Sequence, residues 1–163
     1  MVAPINNTEP MPKPPKFNRP GNSLPQRAAI SDLLQDGLRL HQSGRADEAA
    51  RFYDQVLARE PMQPAANHLL GLVRLQQGRP DEAVRLITRA TSANKTDPQY
   101  FANLGAALNA AGRPAEAVEA LDRAIALKPA FPAALSNRGM ALKALGRLDG
   151  AAASYRQAIA LAP

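Results

Sequence analysis

The sequence predicts an all-α solenoid, a run of short helix-turn-helix units stacked side by side behind a proline-rich tail. Three observations predict it. From about Ile30 the chain matches itself in register at a shift of 34 residues, four times over and without insertions. Glycine recurs twice in every unit, at Gly37, Gly71, Gly105 and Gly139 and again at Gly44, Gly78, Gly112 and Gly146. Of the 163 residues 45% are hydrophobic, yet only 4% are aromatic and tryptophan is absent. That composition suits narrow helices in close contact better than a core of large side chains.

The first 25 residues hold seven of the fifteen prolines, too many for a helix or an inner strand to persist. Residues 1–28 are therefore expected to form a disordered tail with polyproline II character. With Lys13, Lys16, Arg19 and Arg27 against Glu9 alone, the tail carries +3 of the net charge of +6. The stretch Pro10-Met11-Pro12-Lys13-Pro14-Pro15-Lys16 has the form that proline-reading domains accept, and a spacer is its plainer role.

Each unit is expected to place a first helix, A, over 30–43, 64–77, 98–111 and 132–145, and a second, B, over 46–59, 80–93, 114–127 and 148–161. The first glycine falls in the middle of helix A, where it costs about 0.5–1 kcal/mol relative to alanine. Its recurrence predicts an approach of two helices too close for a β-carbon. The second glycine ends helix A, because a left-handed C-cap is cheapest for glycine. Pro80 and Pro114 follow two residues later, pre-set for the first turn of helix B. Asp47, Glu48, Asp81, Glu82 and Glu116 lie in that turn, at the positive end of the helix dipole. Ala49, Ala83, Ala117 and Ala151 keep helix B slim enough to pack on helix A. Pro61, Pro129 and Pro163 close their units by pushing the preceding residue out of helical geometry, with Lys95 the one departure. In the last helix B, Ala151, Ala152, Tyr155, Ala158 and Ile159 recur at spacings of three and four and are expected to form one buried stripe. The units so bounded are 30–61, 64–95, 98–129 and 132–163.

These columns resemble the repeat pattern of the tetratricopeptide repeat (TPR) family. The family's bulky residue in helix B is matched by Tyr53, Ile87, Leu121 and Tyr155, and its small residue one turn later by Val56, Ala90, Ala124 and Ala158. The large residue usual near the start of helix A is matched by Leu33, Phe101 and Leu135 but is Asn67 in the second unit, and Asp36 and Arg138 stand where a leucine is usual. The resemblance covers residues 30–163. It implies a right-handed superhelical solenoid of four units whose concave wall is lined by the A helices. Carried onto this sequence, the peptide-binding groove has Leu34, Leu38 and His41 in the first unit and His68 and Leu72 in the second. The third supplies Asn103 and Ala106, and the fourth Asn137, Met140 and Lys143.

The resemblance bears on the kind of ligand as well. In O-linked N-acetylglucosamine transferases an asparagine ladder on successive A helices hydrogen-bonds the backbone of a bound polypeptide. Asn103 and Asn137 match that place, whereas Gln35 and Leu69 do not. Chaperone-binding members clamp a C-terminal carboxylate with Lys, Arg and Asn, and the matching places here hold mostly Leu, Ala, His and Ser. A carboxylate clamp is therefore not expected.

Catalysis finds no foothold in the residues. There is no cysteine, so no disulfide, thiolate metal site or thiol nucleophile. His41 and His68 are the only histidines and neither has a second one at metal-ligand spacing. No phosphate loop, nucleophile elbow or paired-carboxylate motif occurs. Neither catalytic residues, a metal nor a cofactor is expected. Basic residues mostly alternate with acids, as in Asp47, Glu48, Arg51 and Asp54, which reads as a solvated face with ion pairs, so nucleic acid is not an expected partner. No run is apolar enough to span a membrane and no secretory signal opens the chain. A membrane partner is not expected and the location is read as cytoplasmic. The expected function is a protein-interaction scaffold that binds a peptide or a partner helix in its concave groove. The alternative, implied by likeness to repeats ahead of bacterial glycosyltransferase or sulfotransferase domains, is a substrate-recruiting segment of such an enzyme. The fourth unit has no polar helix behind it, which makes self-association through that end a further expectation.

Overall fold

The computed structural model describes residues 24–161, with side chains from Ala29 onward. Among these residues there are eight helices and no strands: α1 (Leu24–Gln42), α2 (Ala46–Arg59), α3 (Pro64–Gln76), α4 (Pro80–Ala93), α5 (Pro98–Ala110), α6 (Pro114–Leu127), α7 (Pro132–Ala144) and α8 (Leu148–Leu161). The expectations for residues 1–23 and for Pro163 lie outside the described residues. Each odd-numbered helix packs on the even one that follows it, and each even one on the next odd one. The four hairpins thereby stack into a right-handed superhelical solenoid. The even helices begin and end where the sequence placed them, and α3, α5 and α7 end one residue sooner.

One boundary is corrected. Helix α1 is described from Leu24, ahead of the expected start near Ile30. Pro25 does not prevent this. It is the second residue of the helix, where its missing N–H has no intrahelical partner to lose.

The turns between paired helices repeat one device. Gly44, Gly78, Gly112 and Gly146 have φ of 79°, 71°, 71° and 73°. The N–H of Gly78 donates to Leu75 O at 3.0 Å and that of Arg79 to Arg74 O at 2.9 Å, and the other three turns repeat both bonds. These are the paired closing bonds of a Schellman motif, and they need a left-handed residue between them. The arginine after the glycine is also the N-cap of the next helix, its carbonyl accepting the first helical bond, as from Ala49 N to Arg45 O at 3.0 Å. Its side chain reaches a glutamate three residues on, pairing Arg45 with Glu48, Arg79 with Glu82 and Arg113 with Glu116. Hydrogen bonds from the arginines hold the Glu48 and Glu116 carboxyls below the usual range. Gly150 replaces the glutamate in the fourth unit.

The close approach predicted at the mid-helix glycines is present, and its counterpart is the bulky residue of the same unit. A β-carbon on Gly37 would lie 2.6 Å from Tyr53 Cε1, on Gly71 2.5 Å from Ile87 Cγ1 and on Gly139 2.6 Å from Tyr155 Cε1, and on Gly105 it would overlap Leu121 Cγ. Beside these contacts Ala49, Ala83 and Ala117 are fully buried and Ala151 nearly so.

The joints between units differ on the side of the even helices. Between the first two units, Arg74 of α3 lies 3.8 Å from Asp54 of α2 and 3.6 Å from Glu82 of α4. Between the last two, Arg138 of α7 donates from Nε to Asp122 of α6 at 2.5 Å and from Nη1 to Ser154 of α8 at 2.9 Å. Arg138 thus replaces an apolar contact with a polar bridge, which explains its departure from the leucine of the family pattern. Ser154 is buried and its hydroxyl donates in turn to Gly150 O at 2.9 Å. At the middle joint Thr88 stands where Asp54 and Asp122 stand, and the arginine-to-aspartate bridge of the other two joints has no equivalent at these positions. Leu104 and Leu108 occupy the two places, and with Val84, Thr88, Phe101 and Ala120 they line a cleft of about 400 Å³ that Arg113, Glu116, Glu119 and Arg123 border. Asn67, another departure, is buried; its Nδ2 donates to Pro61 O at 2.9 Å and to Gln63 O at 3.0 Å, tying the loop to α3, while its Oδ1 has no partner.

The two ends of the stack are unlike. On α1 the outward places hold Asp32, Asp36 and Arg39, the last two ion-paired, where the later units bury Ala66, Leu70 and Val73 or Ala134 and Ala141. At the other end the expected stripe of α8 is only partly buried. Ala151, Ser154 and Ala158 are covered, but Ala152 is exposed, Tyr155 is half-buried and Ile159 is 72% exposed. The counterparts of Ile159 one, two and three units earlier, Ile125, Thr91 and Leu57, are shielded. The helix period alone cannot say which side of a stripe the next unit must cover.

Candidate interaction surface

Helices α1, α3, α5 and α7 form one wall of the solenoid, and the 34-residue register turns their equivalent residues into rows across it. One row is apolar throughout and partly open: Leu38 is 39% exposed, Leu72 and Ala106 are half-buried and Met140 is 53% exposed. Beside it runs a mixed row of His41, Leu75, Asn109 and Lys143, in which only Lys143 is fully open. Leu34 is drawn inward, packing with Ile30 and Val56 in the core between the first two units.

Two of the candidate residues, His68 and Asn103, are engaged with each other within the chain. His68 is only 7% exposed. Its ring lies on that of Tyr100, centroids 4.5 Å apart, and its Nε2 meets Asn103 Nδ2 at 2.7 Å. Asn103 Oδ1 in turn accepts from Gln99 Nε2 at 3.3 Å. Burial pushes the His68 pKa down to about 4, with the charge of Asp97 opposing the shift. The imidazole is therefore neutral at pH 7, and Nε2 is the acceptor for the amide proton. Asp97 is fixed as the N-cap of α5, accepting from Gln99 N at 2.8 Å. The same burial, aided by Asp97, raises the Tyr100 hydroxyl. One unit on, Asn109 Nδ2 donates to the backbone carbonyl of Asn137 at 2.9 Å. The side-chain amide of Asn137 has no such partner among the described residues.

The matched asparagines are thus unequal. Asn103 is held between α3 and α5, whereas Asn137 is available. The sequence reading did not include Gln99, Tyr100 and Asn109 in this network. Gln99 lies one helical turn before Asn103, a spacing that could have signalled the pair, but the partners of Tyr100 and Asn109 come from other units. His41 leans on Tyr53, centroids 6.4 Å apart. The Tyr53 hydroxyl is buried without a partner and its pKa is pushed up to about 12 by desolvation.

Among the described residues no group of His, Cys, Asp and Glu is placed to hold a metal ion, and no helix is long and apolar enough to cross a membrane. Stacked helical hairpins with one open apolar row define a helical-repeat protein of the interaction-scaffold kind. Two models of the tetratricopeptide repeat match residues 40–108 and 102–163, covering between them most of the chain, and the chain belongs to that family. The fold is also that of solved structures of MamA. One MamA crystal structure superposes with a TM-score of 0.75 at 22% identity, over 81% of this chain and 77% of the other. The MamA of Desulfovibrio magneticus RS-1 gives 0.75 at 22%, over 81% and 75%. MamA AMB-1 gives 0.72 at 25%, over 81% and 78%. A comparison with curated proteins finds no match.

Proposed function

We propose that this chain is a non-catalytic, cytoplasmic scaffold that holds a peptide or helix of a partner protein in the groove of α1, α3, α5 and α7. Its repeat units are 30–61, 64–95, 98–129 and 132–163. The observation that carries the reading is the row Leu38, Leu72, Ala106 and Met140. None of these four is needed to seal the stack, yet they form an apolar line with 39% of Leu38 and 53% of Met140 open to water. An apolar row on a concave wall is suited to a partner that removes it from solvent. Leu34, His68 and Asn103 serve as supports behind that row, while His41, Asn137 and Lys143 offer polar contacts beside it.

The test is capture of partners by the unmodified chain and by a Leu38→Glu, Met140→Glu variant, with Arg51→Glu on α2 as a control. All three sites are exposed, so helicity should be unchanged by circular dichroism. The groove variant is expected to lose the captured protein at least about tenfold while the control retains it. Equal capture by all three would remove the reading.

The face of the fourth pair supports a second association. Ile159 and Leu148 are open there, on the same side of α8, whereas the opposite end offers Asp32, Asp36 and Arg39. We read the Ile159 face as self-associating with its own kind rather than head to tail, because head-to-tail stacking would bury those charges. Sedimentation should show a dimer that Ile159→Glu dissociates. A monomer at every concentration would refute this.

A further inference from the structure

On the groove reading above, the structure points further to a particular occupant, and we propose that it is an amphipathic α-helix rather than an extended peptide. The first observation concerns hydrogen bonds. An extended chain laid in a groove must satisfy its own N–H and C=O groups against the wall. Two of the wall's asparagines are already engaged, which leaves Asn137 as the one free asparagine amide of the two rows and their ladder positions among the described residues. The amide of Asn103 is engaged at both ends, by His68 at 2.7 Å and by Gln99 at 3.3 Å, and Asn109 gives its Nδ2 to the Asn137 carbonyl at 2.9 Å. A helix satisfies its backbone internally and asks of the wall only an apolar stripe.

The second observation concerns spacing. Leu38, Leu72, Ala106 and Met140 come one from each odd-numbered helix, all at the same register. Packed neighbouring helices lie about 8–10 Å apart, and seven residues of α-helix rise about 10.5 Å. A helix laid along the row therefore meets each step with every seventh residue and spans all four in about 20 residues. Ala106 is the smallest member of the row, so the bulkiest partner side chain belongs opposite it.

Charge specifies the polar flank. The two open rows carry no carboxylate, and Lys143 has no ion pair among the described residues. The partner helix should accordingly turn acidic side chains, or its negative C-terminal end, towards the fourth unit.

Two synthetic peptides of about 20 residues serve as probes. One has leucine in a heptad pattern and glutamate near its C-terminus; the other is the same but for two central prolines that forbid a helix. The chain carries isotope-labelled Leu, Ala and Met methyls. The helical peptide is expected to shift the methyls of Leu38, Leu72, Ala106 and Met140, and the prolines to weaken binding at least about tenfold. Met140→Glu should weaken the helical peptide to a similar degree. If the proline peptide binds as well or better, and Asn137→Ala then abolishes its binding, the helix inference fails while the groove reading stands. Shifts confined to the even-numbered helices, or none from either peptide at millimolar concentration, would overturn the helix inference and count against the groove as well.

Discussion

Gly105 and Gly112 lie seven residues apart in one helical unit and are irreplaceable for opposite reasons. At Gly105 the obstacle is Leu121, whose Cγ and both Cδ atoms would meet a new β-carbon. At Gly112 nothing lies within 4 Å, and the constraint is the backbone φ of 71°. Gly105→Ala gains about 1 kcal/mol of helix propensity but must displace a fully buried leucine, an overpacking that costs about 1–3 kcal/mol, so a net loss of stability is expected. Gly112→Ala should lose about 1–2 kcal/mol through the left-handed conformation alone. Denaturant titrations with Leu121→Ala added to each separate the two, since the truncation should offset much of the Gly105→Ala loss and none of the Gly112→Ala loss. His68 makes a second prediction at this scale. Its folded pKa of about 4 lies below the unfolded value near 6.5. Between those values the unfolded chain binds the extra proton, so stability falls as pH drops from about 6.5 towards 4, by at most about 3 kcal/mol. His68→Gln should flatten that stretch of a stability profile; an unchanged slope would place the titration elsewhere.

At the scale of helices, what the sequence made legible was whatever repeats. Glycine, proline and first-turn acids located the even-numbered helices, because each mark acts within its own turn. Departures from the pattern were visible as residue types but not as interactions. Arg138 could be seen to replace a leucine, yet its acceptors Asp122 and Ser154 belong to two other helices, and only their stacking brings the three together. The same holds for His68 and Asn103, whose contact joins α3 to α5. The start of α1 was missed because prolines were read as excluding helix altogether, whereas Pro25 sits in a first turn. The Arg138 bridge is open to a double-mutant cycle with Asp122→Ala. Both side chains are partly exposed, so the expected coupling is no more than about 1 kcal/mol and should shrink with added salt. A coupling of zero at low salt would assign the position to packing alone.

Across the whole molecule the repeat yields both a stack and a surface. Each unit buries its small residues against its neighbours, and the register that aligns those contacts also aligns the residues left over on the odd-numbered helices. The exposed row is therefore a consequence of periodicity, while its chemistry, apolar throughout with Lys143 beside its last member, is set by individual substitutions. Which of the projected groove residues remain open was not legible from one unit at a time, since it depends on what the adjoining A helix covers: Leu38 and Met140 stay accessible, whereas Leu34 and His68 are drawn inward. The most direct measurement of the central claim is photo-crosslinking from defined positions, with a benzophenone side chain placed at Leu38, Leu72 or Met140 and, separately, at Arg51 or Gln157 on the even-numbered helices. The account predicts a shared adduct from the first three and none from the other two; adducts formed only from Arg51 or Gln157 would contradict it.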